Sequence, residues 1–304
     1  MIKNKSSKIK NCISIGITAF KCDQYLKAAI ESILAQTVDD WLGILILDGG
    51  ADRKTSQIFN EFSHPKFQKY CFKTNRGPYG TRSKAIELSK TEWYYQLDGD
   101  DLLPDNAIES ILCTIRENRD AEYIYGNCEY FTSANSEIKY PLEDVEALCR
   151  GPLFNAASPI KISLFNKIGG FFNDFYINAD WDFWLNVHEQ KVKGVYVDNI
   201  IYKRRRRVDS IGQDKIYLRP FIVEKIIERH PLFFNSLERK NNALFNVYEK
   251  LARYYKSVGN RKEAAKYARE ALKYGKSIKS FDTIFTEEKM SSFRYLLRRI
   301  GRII

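Results

Sequence analysis

Through its first half the chain alternates short apolar runs with amphipathic stretches of about ten residues. CISIGITAF (12–20), LGILILDG (42–49), QKYCFKT (68–74), EWYYQLD (92–98) and AEYIYGN (121–127) are rich in β-branched and aromatic residues and predict strands. Between them, helical periodicity covers Tyr25–Gln36, Thr55–Phe62, Thr81–Lys90 and Asp105–Asn118. Near-continuous apolar strands alternating with helices predict parallel βαβ units with both faces of the sheet covered. Ligands of such sheets sit beyond the carboxyl ends of the strands, where Asp48 and Asp98 both fall.

The pattern loosens over about residues 127–214. CEYFTSANSEIKYPL predicts a hairpin, a helix over Ile162–Ile168 is stopped by Gly169-Gly170, and another starts near Asp180. GVYVDN and IIYKRRRR read as two short strands. From Lys215 the periodicity is helical throughout, so the predicted organisation is an α/β domain over 1–214 and a helical extension over 215–304, with no low-complexity linker between them. Within the extension, YEKLARYYKSVGNRKEAAKYAREALKYG carries Tyr248, Leu251, Ala252, Tyr255, Gly259, Ala264, Ala268 and Ala271 at the spacing of one tetratricopeptide hairpin. About three such repeats make an independent array, so a single copy predicts a helical appendage, with protein docking as the alternative. At the end, SSFRYLLRRIGRII sets Phe293, Leu296, Leu297, Ile300, Ile303 and Ile304 on one stripe, interleaved with Arg294, Arg298 and Arg302. A basic amphipathic helix of this kind suits an anionic membrane interface, or docks its stripe on the rest of the tail.

Charge sharpens that division. The net charge of +11 comes from residues 215–304, which hold 21 Lys and Arg against 9 Asp and Glu, while the first 214 residues are near neutral. Nucleic acid and an anionic membrane surface are the candidate partners for such a segment. Hydrophobic content of 44% over 304 residues excludes wholesale disorder. Six cysteines without a CxxC pair, and three histidines, point away from zinc or a disulfide framework and toward a reducing compartment. The first apolar run is broken by Ser14, Gly16 and Thr18 and reads as a strand, and no apolar run nears the roughly 18 residues of a membrane span. The expectation is a cytoplasmic protein, soluble or peripheral on the inner face of the plasma membrane.

The densest chemistry lies in YYQLDGDDLLPDN (94–106), where a strand ends in Asp98, Asp100 and Asp101. Like charges crowded at one strand end call for a compensating cation, and Mg²⁺ or Mn²⁺ takes hard oxygen ligands of this kind. Alternatively, Asp100 and Asp101 start and cap the next helix. Beside this stretch, ISIGITAFKCDQYLKAAIESILAQT, ILILDGGADRKTS, NRGPYGTRSKAIELSKTEWYYQLDGDDLLPDN and KIGGFFNDFYINADWDFWLN resemble, in order and spacing, four motifs of family 2 glycosyltransferases. The resemblance covers about residues 12–212.

What the resemblance implies is a GT-A nucleotide-diphospho-sugar-binding fold, a mostly parallel central sheet flanked by helices, and a nucleoside-diphosphate sugar donor, a UDP-sugar first of all. Thr18 and Phe20 match the turn beside the base, Asp48 the acidic residue on base or ribose, and Arg82 a basic position near base or diphosphate, although GPYGTRSK departs from the common Ala-Arg-Asn. Asp98 and Asp100 match the DxD motif, toward the ribose and the metal-bridged diphosphate respectively; the implied cofactor is Mn²⁺ or Mg²⁺. Asp180 matches the catalytic base of an inverting transfer, with Trp181 and Asp182 on the acceptor side, whereas the motif read alone is an N-cap followed by an amphipathic helix. In YKRRRRVDSIG, Arg207 stands where the family commonly has a histidine, and an arginine there pairs with the diphosphate instead of ligating metal. DGGADRKT is one residue shorter than the family pattern, which affects the register of Asp52.

The implied activity is an inverting, metal-assisted sugar transfer onto a glycan or lipid-linked acceptor in cell-surface polysaccharide synthesis. A nucleotidyltransferase is disfavoured because SIGITAFKCD lacks a glycine-rich phosphate loop. The competing reading is an inactive adaptor or nucleic-acid binder working through the basic third. Retention of both DxD carboxylates and the base weighs against it, and nucleic acid is not the expected partner.

Overall fold

The computed structural model describes residues 9–141, 144–153, 157–172, 174–207, 216–275, 281–282 and 284–285. By its internal contacts the chain forms two units, Met1–Val145 with Pro152–Val208, and Glu146–Gly151 with Asp209–Ile304. The expected boundary at residue 214 lies outside the described residues.

The first unit is built on an eight-stranded sheet. Its strands are β1 (Ile9–Ala19), β2 (Trp41–Leu47), β3 (Phe67–Cys71), β4 (Thr91–Asp98), β5 (Tyr123–Phe131), β6 (Ser136–Lys139), β7 (Ile160–Lys161) and β8 (Gly194–Arg205). They lie in the order β3-β2-β1-β4-β7-β5-β6, with β8 paired to β5. β1 to β4 are mutually parallel, β7 is antiparallel to both β4 and β5, and β8 is parallel to β5. All strands except β6 and β7 therefore point the same way, and their carboxyl ends share one edge.

Helices α1 (Leu26–Leu34), α2 (Arg53–Glu61) and α4 (Ala107–Glu117) lie with one face, and α3 (Gly77–Leu88), α5 (Ile162–Lys167) and α6 (Ala179–Glu189) with the other. Alternation along β2 explains why its sequence is apolar throughout: Leu45 and Leu47 enter one core, Ile44 and Ile46 the other. Each buried isoleucine or leucine contributes about 2 kcal/mol of transfer free energy. Gly16 sits in β1 where a Cβ would meet the Tyr94 ring at 2.8 Å, so the glycine admits that ring between strands.

Three elements differ from the sequence expectation. β8 is one strand, with the polar pair Asp198-Asn199 absorbed where its register to β5 shifts between Gly126 and Cys128. β7 is two residues long, too short for any periodicity. α3 begins at Gly77, four residues before the expected Thr81, because Gly77 takes φ +71° and Pro78 fixes the first turn.

In the second unit, α7 (Arg219–Arg229), α8 (Leu237–Ser257) and α9 (Arg261–Leu272) follow one another. α8 and α9 form a helical hairpin, turned at Gly259 with φ +77°. Ser236 caps α8 and Asn260 caps α9 through side-chain bonds to Arg239 N and Glu263 N. Ala252, Ala264, Ala265, Ala268 and Ala271 are buried between the two helices, and Tyr255 stacks on Tyr267 at 5.4 Å. The expected terminal helix lies outside the described residues. Among the described residues no helix is long and apolar enough to cross a membrane.

Candidate active site

The carboxyl ends of β1, β2 and β4 bring the first candidates together. Thr18 and Asp98 are register partners, and Ala19 pairs with Leu47, so Asp48 follows at the same edge. Phe20, half-buried, continues β1 beside Lys21, whose ammonium lies 5.3 Å from its ring. Asp48 is 4% exposed and holds the loop entering α3: Oδ1 accepts from Gly49 N (2.9 Å) and Arg76 N (2.7 Å), Oδ2 from Gly77 N (3.0 Å). Its two oxygens thus set where α3 starts. Asp52 caps α2, accepting from Thr55 N at 2.8 Å and the Thr55 hydroxyl at 2.5 Å, which settles its place in the shortened loop.

Asp98 ends β4 and is met by α3. Arg82 Nη2 donates to both of its oxygens, at 2.8 and 2.7 Å, and Gln96 Nε2 adds a bond of 3.1 Å. Burial alone would raise the Asp98 carboxyl; the Arg82 guanidinium outweighs it and holds the group below the usual carboxylate range. Asp100 is 31% exposed and pairs with Arg207 Nη1 at 3.0 Å; burial and the Asp98 charge together still raise it. Asp101 is buried, accepting from the Tyr202 hydroxyl at 2.8 Å and Arg205 N at 2.7 Å. Burial, then the charges of Asp98 and Asp100, push it up to about 7. Neither Asp100 nor Asp101 caps a helix, since α4 starts at Ala107 after Asn106.

β8 delivers the arginine run to these carboxylates. Arg205 Nε donates to Asp100 O at 2.9 Å, and its guanidinium is sandwiched between Tyr25 and Phe131, each 4.5 Å away. Arg207 lies 5.0 Å from the same Tyr25 ring. Each of the two motif carboxylates therefore has an arginine partner, Arg82 for Asp98 and Arg207 for Asp100.

Asp180 is in the first turn of α6, after Asn178, which takes the left-handed φ of 64° that asparagine tolerates. It is half-buried, and its Oδ1 accepts a 2.7 Å bond from the Tyr79 hydroxyl. Tyr79 stands on α3 one turn before Arg82, with the Arg82 guanidinium 5.3 Å from its ring and Phe171 5.1 Å from it. One continuous path, Asp98–Arg82–Tyr79–Asp180, thus joins the strand-end carboxylates to the helix carboxylate. Trp181 and Asp182 are 2% and 0% exposed, so neither offers a surface to an incoming acceptor in this conformation. Behind Arg82, a cavity of about 20 Å³ lined by Tyr94, Gln96 and Ser158 has room for about one water. Arg82 Nε is buried beside it without a hydrogen-bond partner among the described residues.

Sequence reading missed Tyr79, Tyr25, Tyr202 and Arg205. For Tyr79 the available signal was its place three residues before Arg82, one helical turn.

Among the described residues no three His, Cys, Asp or Glu side chains gather into a metal cage. Asp100 and Asp98 do supply hard oxygen donors at an accessible strand end, the set that suits Mg²⁺ or Mn²⁺ when diphosphate oxygens complete the shell.

The sequence profile of glycosyl transferase family 2 matches residues 14–172. The chain is 28% identical over 200 residues to the chondroitin synthase of Escherichia coli, an alignment spanning 62% of this chain and 28% of the synthase. Among solved structures it is similar to S. aureus TarS 1–349 in complex with UDP-GlcNAc, with a TM-score of 0.58, 13% identity and 92% of each chain covered. The mannosyltransferase PcManGT from Pyrobaculum calidifontis, in complex with GDP-Man and Mn²⁺, gives a TM-score of 0.57 at 13% identity, covering 92% of this chain and 80% of that one. The expected GT-A-like architecture, a mostly parallel sheet flanked by helices with further helices after it, agrees with these likenesses.

Proposed function

The chain belongs to glycosyl transferase family 2, and from that premise we propose that it is an inverting transferase that moves a sugar from a UDP-sugar onto a glycan or lipid-linked acceptor in cell-surface polysaccharide synthesis. The observation that carries this reading is the Asp98–Arg82–Tyr79–Asp180 path, which connects a DxD strand end to a helix-borne carboxylate. The E. coli relative is named a chondroitin synthase and the TarS neighbour is in complex with UDP-GlcNAc, which supports a UDP-sugar and a glycan acceptor.

In this reading Thr18, Phe20 and Asp48 border the nucleotide end of the cleft. Arg82 keeps the Asp98 carboxylate ionised and oriented, and Asp100 with Asp98 would hold Mn²⁺ or Mg²⁺. When bound, that cation neutralises charge on the departing diphosphate. Arg207, beside Asp100, meets a phosphate oxygen. Asp180 takes the proton of the acceptor hydroxyl as its oxygen attacks the anomeric carbon opposite the diphosphate, whose bond to that carbon breaks. Trp181 and Asp182 anchor α6 from its buried face. The basic C-terminal segment brings the enzyme to the anionic inner face of the plasma membrane, where lipid-linked acceptors sit.

The test is a thermal-shift panel of UDP, GDP, dTDP and CMP with and without Mn²⁺ or Mg²⁺. A metal-dependent rise with UDP is the expected result. A folded chain indifferent to all four nucleotides overturns the reading in favour of a non-enzymatic adaptor.

A further inference from the structure

The motifs that led to the site gave Tyr79 no role, yet it makes the hydrogen bond to Asp180. The ring is held on two sides, by the Arg82 guanidinium at 5.3 Å and by Phe171 at 5.1 Å, so the hydroxyl has little freedom of direction. Its 2.7 Å bond ends on Oδ1, and among the described residues no donor meets Oδ2. A short aspartate at the start of a helix has few rotamers, and one fixed oxygen selects among them. Burial, and then the Asp180 charge, keep the phenol protonated far above its ordinary range, so it is a hydrogen-bond donor at any working pH.

We infer that Tyr79 is the positioning residue of the base: its hydroxyl pins Oδ1 of Asp180 and thereby aims Oδ2 at the acceptor hydroxyl. The inference rests on Asp180 being the base, as proposed above. Arg82 adds a further consequence, since the cation that orients the donor-side Asp98 also braces the ring that orients Asp180. Donor and acceptor groups are thus registered to one turn of α3.

The experiment uses the full chain and its Tyr79→Phe variant, which deletes only the hydroxyl. Transfer is measured with sugars of the nucleotide selected by the thermal-shift panel, and nucleotide affinity is measured separately. The expected result is a fall in kcat of about ten- to a hundred-fold, with nucleotide Kd and Tm close to wild type. A purely structural role would move Tm and Kd together, and that outcome overturns the inference, as does an unchanged kcat. A crystal structure of the variant gives an independent reading: Asp180 in a different or a second rotamer supports the inference, and an unmoved carboxylate overturns it. Asp180→Asn separates the two levels. If that variant is inactive while Tyr79→Phe is unaffected, only the positioning role falls; if it transfers normally, the base assignment falls first and takes this inference with it.

Discussion

The proposed donor end and the proposed base end of the site hold their carboxylates by different means. At the donor end each motif aspartate faces a guanidinium, Arg82 on Asp98 and Arg207 on Asp100. At the base end Asp180 meets a neutral phenol. Arg82 outweighs burial and holds Asp98 below the usual carboxylate range, Arg207 only partly offsets the burial and the Asp98 charge that raise Asp100, and a neutral donor fixes direction without adding a countercharge. The first arrangement suits groups that must stay anionic beside a cation and a diphosphate, and the second suits a group that must accept a proton.

The sharpest way to break this comparison is Asp180→Asn. Turnover should fall at least about a hundred-fold while nucleotide affinity stays within about two-fold of wild type, as read by steady-state kinetics and calorimetry. Loss of nucleotide binding in that variant would merge the two ends into one. Asp98→Asn should act on everything at once: turnover and nucleotide affinity drop, and the half-paired, buried Arg82 costs about 3 kcal/mol of stability in a denaturant titration. Asp100→Asn should lower turnover and metal-dependent nucleotide binding but cost less stability than Asp98→Asn, because burial and the Asp98 charge already disfavour the ionised Asp100 carboxyl while Arg82 favours the ionised Asp98.

A pH series sharpens the donor end further. Asp101 ionises near pH 4 in the unfolded chain and at about 7 when folded. Between those values the folded chain holds a proton that the unfolded chain has released, so stability is fully present below about pH 4 and falls as pH rises through 7. Asp101→Asn removes that slope, and its Tm should gain on wild type between pH 5 and pH 8. The smallest effect belongs to Asp52→Ala, which loses the α2 cap and about 1 kcal/mol but leaves kinetics unchanged.

The sheet was largely readable because β1, β2 and β4 are buried on both faces and therefore apolar without interruption. β8 was not readable as one strand, since a polar Asp198-Asn199 pair in the middle of an edge-facing run looks like a turn; only the shifted pairing with β5 accommodates it. The same limit applied to the site. Asp98, Asp100 and Arg82 lie in a recognisable motif, but Tyr79 was hidden by placing the start of α3 four residues late. Once Gly77 and Pro78 are seen to open the helix, Tyr79 and Arg82 fall one turn apart. The bond from Tyr79 to Asp180 reaches a partner a hundred residues away, which no local pattern encodes.

The arginine run at the end of β8 has a bearing on which changes lineages of this chain tolerate. Arg205 and Arg207 face Tyr25 and the aspartates, while Arg204 and Arg206 lie by Tyr130. Four identical residues in a row look interchangeable, but their aromatic neighbours alternate along the run, Tyr130 for Arg204 and Arg206 and Tyr25 for Arg205 and Arg207. A replacement at any one of them disturbs that residue's own contacts, whereas insertion or deletion of one codon upstream in β8 would exchange the two sets. Drift at this edge should therefore be least tolerant of frame-preserving indels, which displace all four contact sets at once.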